Sequence, residues 1–347
     1  MPRRIKREQP KIKVVLAGKV AAKAADQLKS LIKVSAEFFP FPVNYEEPRI
    51  VKTLPDADVV VGNFFTEKMA RAASKLKLLQ APNAGLDSFR LDLVSPHATV
   101  SNAYFHGPAI AEYVVMMMLV LSRGLLNLEN QFRKGRWLGS WIQGEAPDAE
   151  VLGKSLGLIG YGTIGREVAS RARAMGMSIK VISAHPPKRK PRDLDFWKGP
   201  AALPQLLKES DYIVLACPLS RETRGLIGPR EFAQMKRTAF LINVARGAVV
   251  EEEALYRALM ERRIAGAAID VWYRYPMGDE RCRPSRFPFH KLSNLVMTPH
   301  ISGWMLGTRK NRLRLVAENI NRLVEGKPLL NVVQGPRRHR KSAFSAE

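Results

Sequence analysis

The chain has 347 residues, 46% of them hydrophobic, and a formal net charge of +24. That length suits about two domains, and that hydrophobic content excludes a globally disordered chain. Its two cysteines, Cys217 and Cys282, exclude a disulfide framework and stand in no metal-ligand spacing, so no metal is expected and a reducing cytoplasmic setting is.

Residues 1–13 carry six Lys/Arg against one Glu, with no apolar run behind them, so they read as a disordered arm and not as a secretory leader. A strand is predicted over 12–17 and an amphipathic helix over 20–32. Short strands follow at 58–61, 76–79 and 98–100, with a helix over 67–74. This alternation argues for a first parallel α/β unit over about residues 11–102. A long apolar helix is predicted over 109–126. Its most apolar window, 113–121, falls well short of the ~20 residues a bilayer span needs, so no membrane partner is expected. A polar stretch over 133–148, bearing Trp137 and Trp141, leads into the most informative segment.

There an apolar run, 155–159, ends in Gly160-x-Gly162-x-x-Gly165, followed by a helical pattern over 166–172 and a strand over 178–182. Strand, glycine turn and helix in that order are what dinucleotide binding requires, because free N–H groups at the helix start receive a pyrophosphate. About 18 residues past Gly165, where an acid takes the ribose of NAD, stands Ser183, with Lys188, Arg189, Lys190 and Arg192 close behind. An acid repels a 2′-phosphate and this cluster attracts one. NADP is therefore expected, with NAD as the alternative.

Further strands are predicted at 212–216, 239–243, 266–270 and 295–297, then an amphipathic helix over 309–323 that crosses back to the first unit, then a second basic arm over 334–347. The charge admits nucleic acid, a membrane surface or small anions as partners. The chain has no zinc-finger spacing, aromatic RNP run or coiled-coil basic region, so specific nucleic-acid binding is not expected. Three polar residues end apolar strands, at the edge where doubly wound sheets bind ligands. Arg246 offers a fork for a carboxylate, His300 exchanges a proton near neutrality, and Asp270 is a candidate for holding a nicotinamide amide.

Five motifs now stand in order: the glycine turn, Cys217-Pro218-Leu219-x-x-x-Thr223-Arg224-Gly225, Asn243-x-x-Arg246-Gly247, Asp270-Val271 and Pro299-His300-Ile301-x-Gly303. Across about residues 12–333 the chain resembles the D-isomer-specific 2-hydroxyacid dehydrogenase family. The resemblance implies two α/β domains with doubly wound parallel sheets. A Rossmann-type coenzyme domain, 104–299, would be inserted into a flavodoxin-like substrate domain, 1–103 and 300–347. It also implies a homodimer formed through the coenzyme domain, by the 109–126 helix and the Trp137/Trp141 arm.

Carried over residue by residue, the coenzyme contacts are Gly160, Gly162, Thr163, Ile164, Gly165, Cys217, Pro218, Thr223, Val244, Ala245, Asp270 and Gly303, joined by Ser183, Lys188 and Arg189 at the ribose. Arg246 and the Asn83-Ala84-Gly85 backbone would bind the carboxylate of a small 2-keto acid such as glyoxylate or hydroxypyruvate. His300 would protonate the keto oxygen. One departure stands out. Where the family places a Glu against its catalytic His, this chain has Tyr275. Formate dehydrogenases, which resemble the family, use a neutral Gln there, so a formate- or phosphite-type dehydrogenase is one alternative. A non-catalytic dinucleotide-sensing dimer is another, against which the retention of Arg246 and His300 argues.

Overall fold

The computed structural model describes residues 11–42, 48–139, 142, 150–276 and 281–336. Trp141 and most of both basic arms lie outside the described residues. The chain divides into two compact units, Met1–Phe105 with Leu306–Glu347, and His106–Met305. In chain order the strands are β1 (Ile12–Ala17), β2 (Ala36–Phe41), β3 (Val59–Gly62), β4 (Leu78–Gln80) and β5 (Thr99–Ser101) in the first unit. The second unit holds β6 (Ser155–Ile159), β7 (Ser178–Ile182), β8 (Phe196–Lys198), β9 (Tyr212–Leu215), β10 (Phe240–Asn243), β11 (Gly266–Ile269) and β12 (Leu295–Met297). The chain then returns to the first unit for β13 (Val332–Gln334).

The first sheet runs β13-β5-β4-β3-β1-β2, parallel except for antiparallel β13. This is the flavodoxin-like order. Alternate side chains of β1 serve opposite faces. Val14 and Leu16 pack with the helices Ala25–Leu31 and Leu306–Val324, and Val15 and Ala17 with Pro48–Thr53 and Glu67–Ala72. Two elements differ from the sequence reading. The 20–32 helix is two pieces, Lys19–Lys23 and Ala25–Leu31, meeting at Ala24. β2 was not foreseen because Pro40 lies within it; the strand pairs only with β1, and an edge strand tolerates the missing N–H.

The second sheet is wholly parallel, ordered β12-β11-β10-β9-β6-β7-β8. Chain order reverses between β6 and β9, the crossover point at which doubly wound sheets bind ligands. The helices Gly107–Ser122 and Thr163–Ala174 cover one face; Leu203–Glu209, Pro229–Gln234 and Glu252–Met260 cover the other. The expected 109–126 helix ends at Ser122. Gly124, at φ 57°, turns the chain by 62° into a second helix, Leu125–Arg133. Among the described residues no single helix is long and apolar enough to cross a membrane.

Candidate active site

The glycine turn joins β6, the strand at the crossover, to the helix Thr163–Ala174, and its glycines do different things. Gly160 sits at φ 101°, and a Cβ there would lie 2.7 Å from the backbone of Ala216 and Cys217, at the end of neighbouring β9. A Cβ on Gly165 would lie 2.4 Å from Gly160 O, so this position lets helix and strand close up. A Cβ on Gly162 would meet nothing within 4 Å. Thr163 and Ile164 open the helix, and no side chain caps its N-terminus, which leaves N–H groups for an anion.

Two segments read as coenzyme contacts begin beside that turn, one at Cys217 and one after Ile182, whose carbonyl accepts from Gly160 N. Thr223 Oγ1 donates to Pro218 O (2.7 Å) and accepts from Ser220 N (2.8 Å), tying down the loop that begins at Cys217. Burial pushes the Cys217 thiol up to about 11, so it stays protonated and is no nucleophile. Ser183 follows β7, and its Oγ accepts from Trp197 Nε1 at 2.7 Å. Its own hydroxyl proton remains to be given. Lys188 and Arg189 are exposed in the following loop.

Arg246 stands past the end of β10 on a tightly made bend. Buried Asn243 donates to Arg246 O (3.0 Å) and accepts from Ala245 N (3.0 Å), while Arg246 Nη1 donates to Ala245 O (2.7 Å). Val244 and Ala245, between them, are buried. A Cβ on Gly247 would lie 2.4 Å from Trp272 O, so this glycine lets the bend press against the segment that leaves β11. That segment delivers Tyr275. Tyr275 Oη lies 3.0 Å from His300 Nδ1 and accepts from Trp272 N (3.2 Å). Arg246, Tyr275 and His300 thus meet at one sheet edge, near enough that the Arg246 charge acts on both other groups.

His300 follows β12 with φ 58°, a left-handed conformation uncommon outside glycine. Shielding from solvent holds its pKa below the ordinary imidazole value; Asp270 pulls it up and Arg246 pushes it down. Tyr275 is raised by burial, so it stays a neutral phenol. Asp270, expected at the coenzyme amide, is instead fully buried, with its oxygens taken by Thr298, Ile301 N and Ser302 N. A carboxylate so enclosed presents no surface to a ligand. A Cβ on Gly303 would lie 3.2 Å from His106 Cβ, which marks a close approach to the start of the Gly107–Ser122 helix.

Asn83-Ala84-Gly85 lies in the first unit, beyond β4. Asn83 accepts from Asn63 Nδ2 (2.8 Å) and donates to Gly85 O (2.5 Å), and Asn102 Nδ2 donates to Ala84 O (2.9 Å). Sequence reasoning missed Asn63 and Asn102, which sit beyond β3 and β5 as lone asparagines in unremarkable surroundings. It also missed Thr298 and Tyr113, although Thr298 directly precedes a quoted motif. Among the described residues no cluster of His, Cys, Asp or Glu could hold a metal ion.

Comparison with known proteins agrees with this architecture. Residues 115–302 match the family model described as D-isomer specific 2-hydroxyacid dehydrogenase, NAD binding domain. A glyoxylate reductase of Korarchaeum cryptofilum is 31% identical over 82% of this chain and 85% of its own length. One of Thermococcus gammatolerans is 39% identical over 61% of this chain, a match spanning only 62% of that enzyme. Among solved structures, the acyclic imino acid reductase Bsp5 in complex with NADPH and D-Arg superposes with a TM-score of 0.76. It is 26% identical, and the match covers 93% of this chain and all of that one. The chain belongs to the D-isomer-specific 2-hydroxyacid dehydrogenase family, whose members are NAD(P)-dependent oxidoreductases.

Proposed function

We propose that the chain reduces a small 2-keto acid, of the glyoxylate and hydroxypyruvate kind, with NADPH. The observation that carries this reading is the meeting of Arg246 and His300 at the same sheet edge as the glycine turn. In it, residues 104–299 form the coenzyme domain, and the flanking segments form the substrate domain. The glycine turn fits a dinucleotide: Gly162 leaves open space, and the helix behind it has an uncapped N-terminus. Thr163, Ile164, Val244, Ala245, Cys217, Pro218, Thr223 and Gly303 would line the coenzyme site. Ser183, with a hydroxyl proton to give, and the cations Lys188 and Arg189 would hold the 2′-phosphate. NADPH in the related imino acid reductase supports that choice. When bound, the nicotinamide supplies hydride.

The chain's own residues do the rest. Arg246 binds the substrate carboxylate, and its guanidinium stabilises charge growing on the keto oxygen. Tyr275 Oη accepts from Trp272 N and keeps a second lone pair, so it can also accept from His300 Nδ1–H. That selects the neutral tautomer carrying its proton on Nδ1, which leaves Nε2 to exchange a proton with substrate. Protonated His300 gives the Nε2 proton to the oxygen, and in oxidation it takes the proton back. Two such units would pair through the apolar face formed by Met116, Leu119, Leu125 and Leu126, all exposed in the single chain. Both cysteines are unbonded, in keeping with a cytoplasmic setting.

The test is a panel of 2-keto and 2-hydroxy acids assayed with NADPH, NADP, NADH and NAD. Arg246→Ala should lower kcat/KM by ~10²–10³ while leaving coenzyme affinity within about twofold. Tight coenzyme binding without turnover of any acid would replace the enzyme by a sensor. Equal or better efficiency with NADH would overturn the coenzyme assignment, and a monomer in sedimentation the dimer.

A further inference from the structure

Tyr113 is a buried polar group and Thr298 a half-buried one, and the proposed reaction has no use for either. Tyr113 projects from the long helix Gly107–Ser122, which otherwise packs Ile110, Ala111, Val114, Met117 and Met118 against the sheet. Its Oη lies 2.7 Å from Thr298 Oγ1, and Thr298 Oγ1 lies 2.6 Å from Asp270 Oδ1. The same Oδ1 accepts from Ile301 N (2.8 Å), and Oδ2 accepts from Ser302 N (3.0 Å). Trp272 Nε1 donates to Thr298 O (2.9 Å) and fixes the residue from its other side.

The direction of this chain of bonds can be worked out. A carboxylate only accepts, so the Thr298 hydroxyl gives its proton to Asp270. Thr298 Oγ1 is then left to accept, so Tyr113 must donate to it. Burial pushes the Tyr113 phenol up to about 12, so that proton is present at any working pH. Every donor converges on Asp270, and Asp270 spends itself on the two backbone N–H groups that follow His300. Those two bonds fasten the turn in which His300 takes φ 58°, a conformation that is unfavourable outside glycine.

We infer that Tyr113 and Thr298 are positioning residues, which with Asp270 hold the His300 turn left-handed and so fix where the imidazole presents its transferable proton. The inference rests on the proposed role of His300. Asp270, Arg246 and Tyr275 are the charged or titratable groups that face the ring. Losing the Thr298 hydroxyl would leave the Asp270 charge less neutralised and the turn looser and wetter. Both changes favour imidazolium, so the His300 titration should move upward.

Three variants of the full chain test this: Thr298→Val, Thr298→Ser and Tyr113→Phe. Each is followed by thermal midpoint, coenzyme affinity, kcat and KM, and the NMR titration of the His300 imidazole, assigned with His300→Asn. Thr298→Val should lower kcat ~10–100-fold, with KM and coenzyme affinity within about threefold, and raise the imidazole titration by at least about half a pH unit. Thr298→Ser, which restores the donor, should recover both to near the parent. Tyr113→Phe, which deletes one oxygen and keeps the core volume, should show the same pattern more weakly; it carries the test if Thr298→Val does not fold. A folded Thr298→Val or Tyr113→Phe protein with unchanged kcat and unchanged titration overturns the inference. A shifted titration with unchanged kcat upholds the clamp and overturns the acid–base role of His300.

Discussion

Two turns on the same sheet edge place the backbone at positive φ, Gly160 at 101° and His300 at 58°, and they do so by opposite means. At Gly160 the chain gives up a side chain, because a Cβ would collide with the backbone of Ala216 and Cys217. At His300 the side chain is the point of the residue, so the conformation is imposed from outside, by Asp270 gripping the next two N–H groups. A site that needs emptiness can be made by residue choice alone. One that needs a reactive group in an unfavourable conformation draws on neighbours from distant parts of the chain.

The contrast can be broken at either turn. Gly160→Ala should have the largest effect, since it adds both strain and a backbone collision: a loss of about 2–4 kcal/mol in denaturant unfolding, with coenzyme binding lost as well. Gly162→Ala should be different in kind. It meets no protein atom, so stability should stay within about 1 kcal/mol of the parent while coenzyme affinity falls at least about tenfold. Equal losses of stability in the two variants would end the distinction.

The smallest effect is expected at the His300 turn, from Tyr275→Glu. A carboxylate beside Nδ1 favours imidazolium, whereas the present phenol does not. Reduction needs that proton, so kcat/KM is high at low pH and falls as pH rises through the His300 pKa, which here lies below the ordinary imidazole value. The glutamate should move that fall upward by about one pH unit. A profile that stays where it was would remove Tyr275 from the account.

The glycine turn and the strand-end positions of Arg246 and His300 were legible because each sits in a short local pattern. The second sheet was legible for a related reason: its strands are apolar runs punctuated by turns. What the sequence concealed was long-range or featureless. Tyr113 reads as one more core residue in an apolar helix, because its hydroxyl's partner lies 185 positions away. Asp270 reads as a ligand group because a strand-end acid looks the same whether it faces solvent or the residues beneath it. β8 and β13 are short edge strands whose residues are all half-buried or exposed, so no buried apolar run marks them. β2 was masked by its proline.

The return of the chain after Met305 bears on how the molecule is assembled. Val316, Ala317 and Ile320 of the last helix lie in the same apolar cluster as Val14, Leu16 and Val59, and β13 covers the free edge of β5. The residues synthesised first therefore cannot complete their interior until the last ones arrive, whereas the continuous segment His106–Met305 carries all it needs. Pulsed hydrogen exchange during refolding should find amides of β6, β9 and β10 protected before those of β1 and β3, and the reverse order would show that the early segment closes without its late partner.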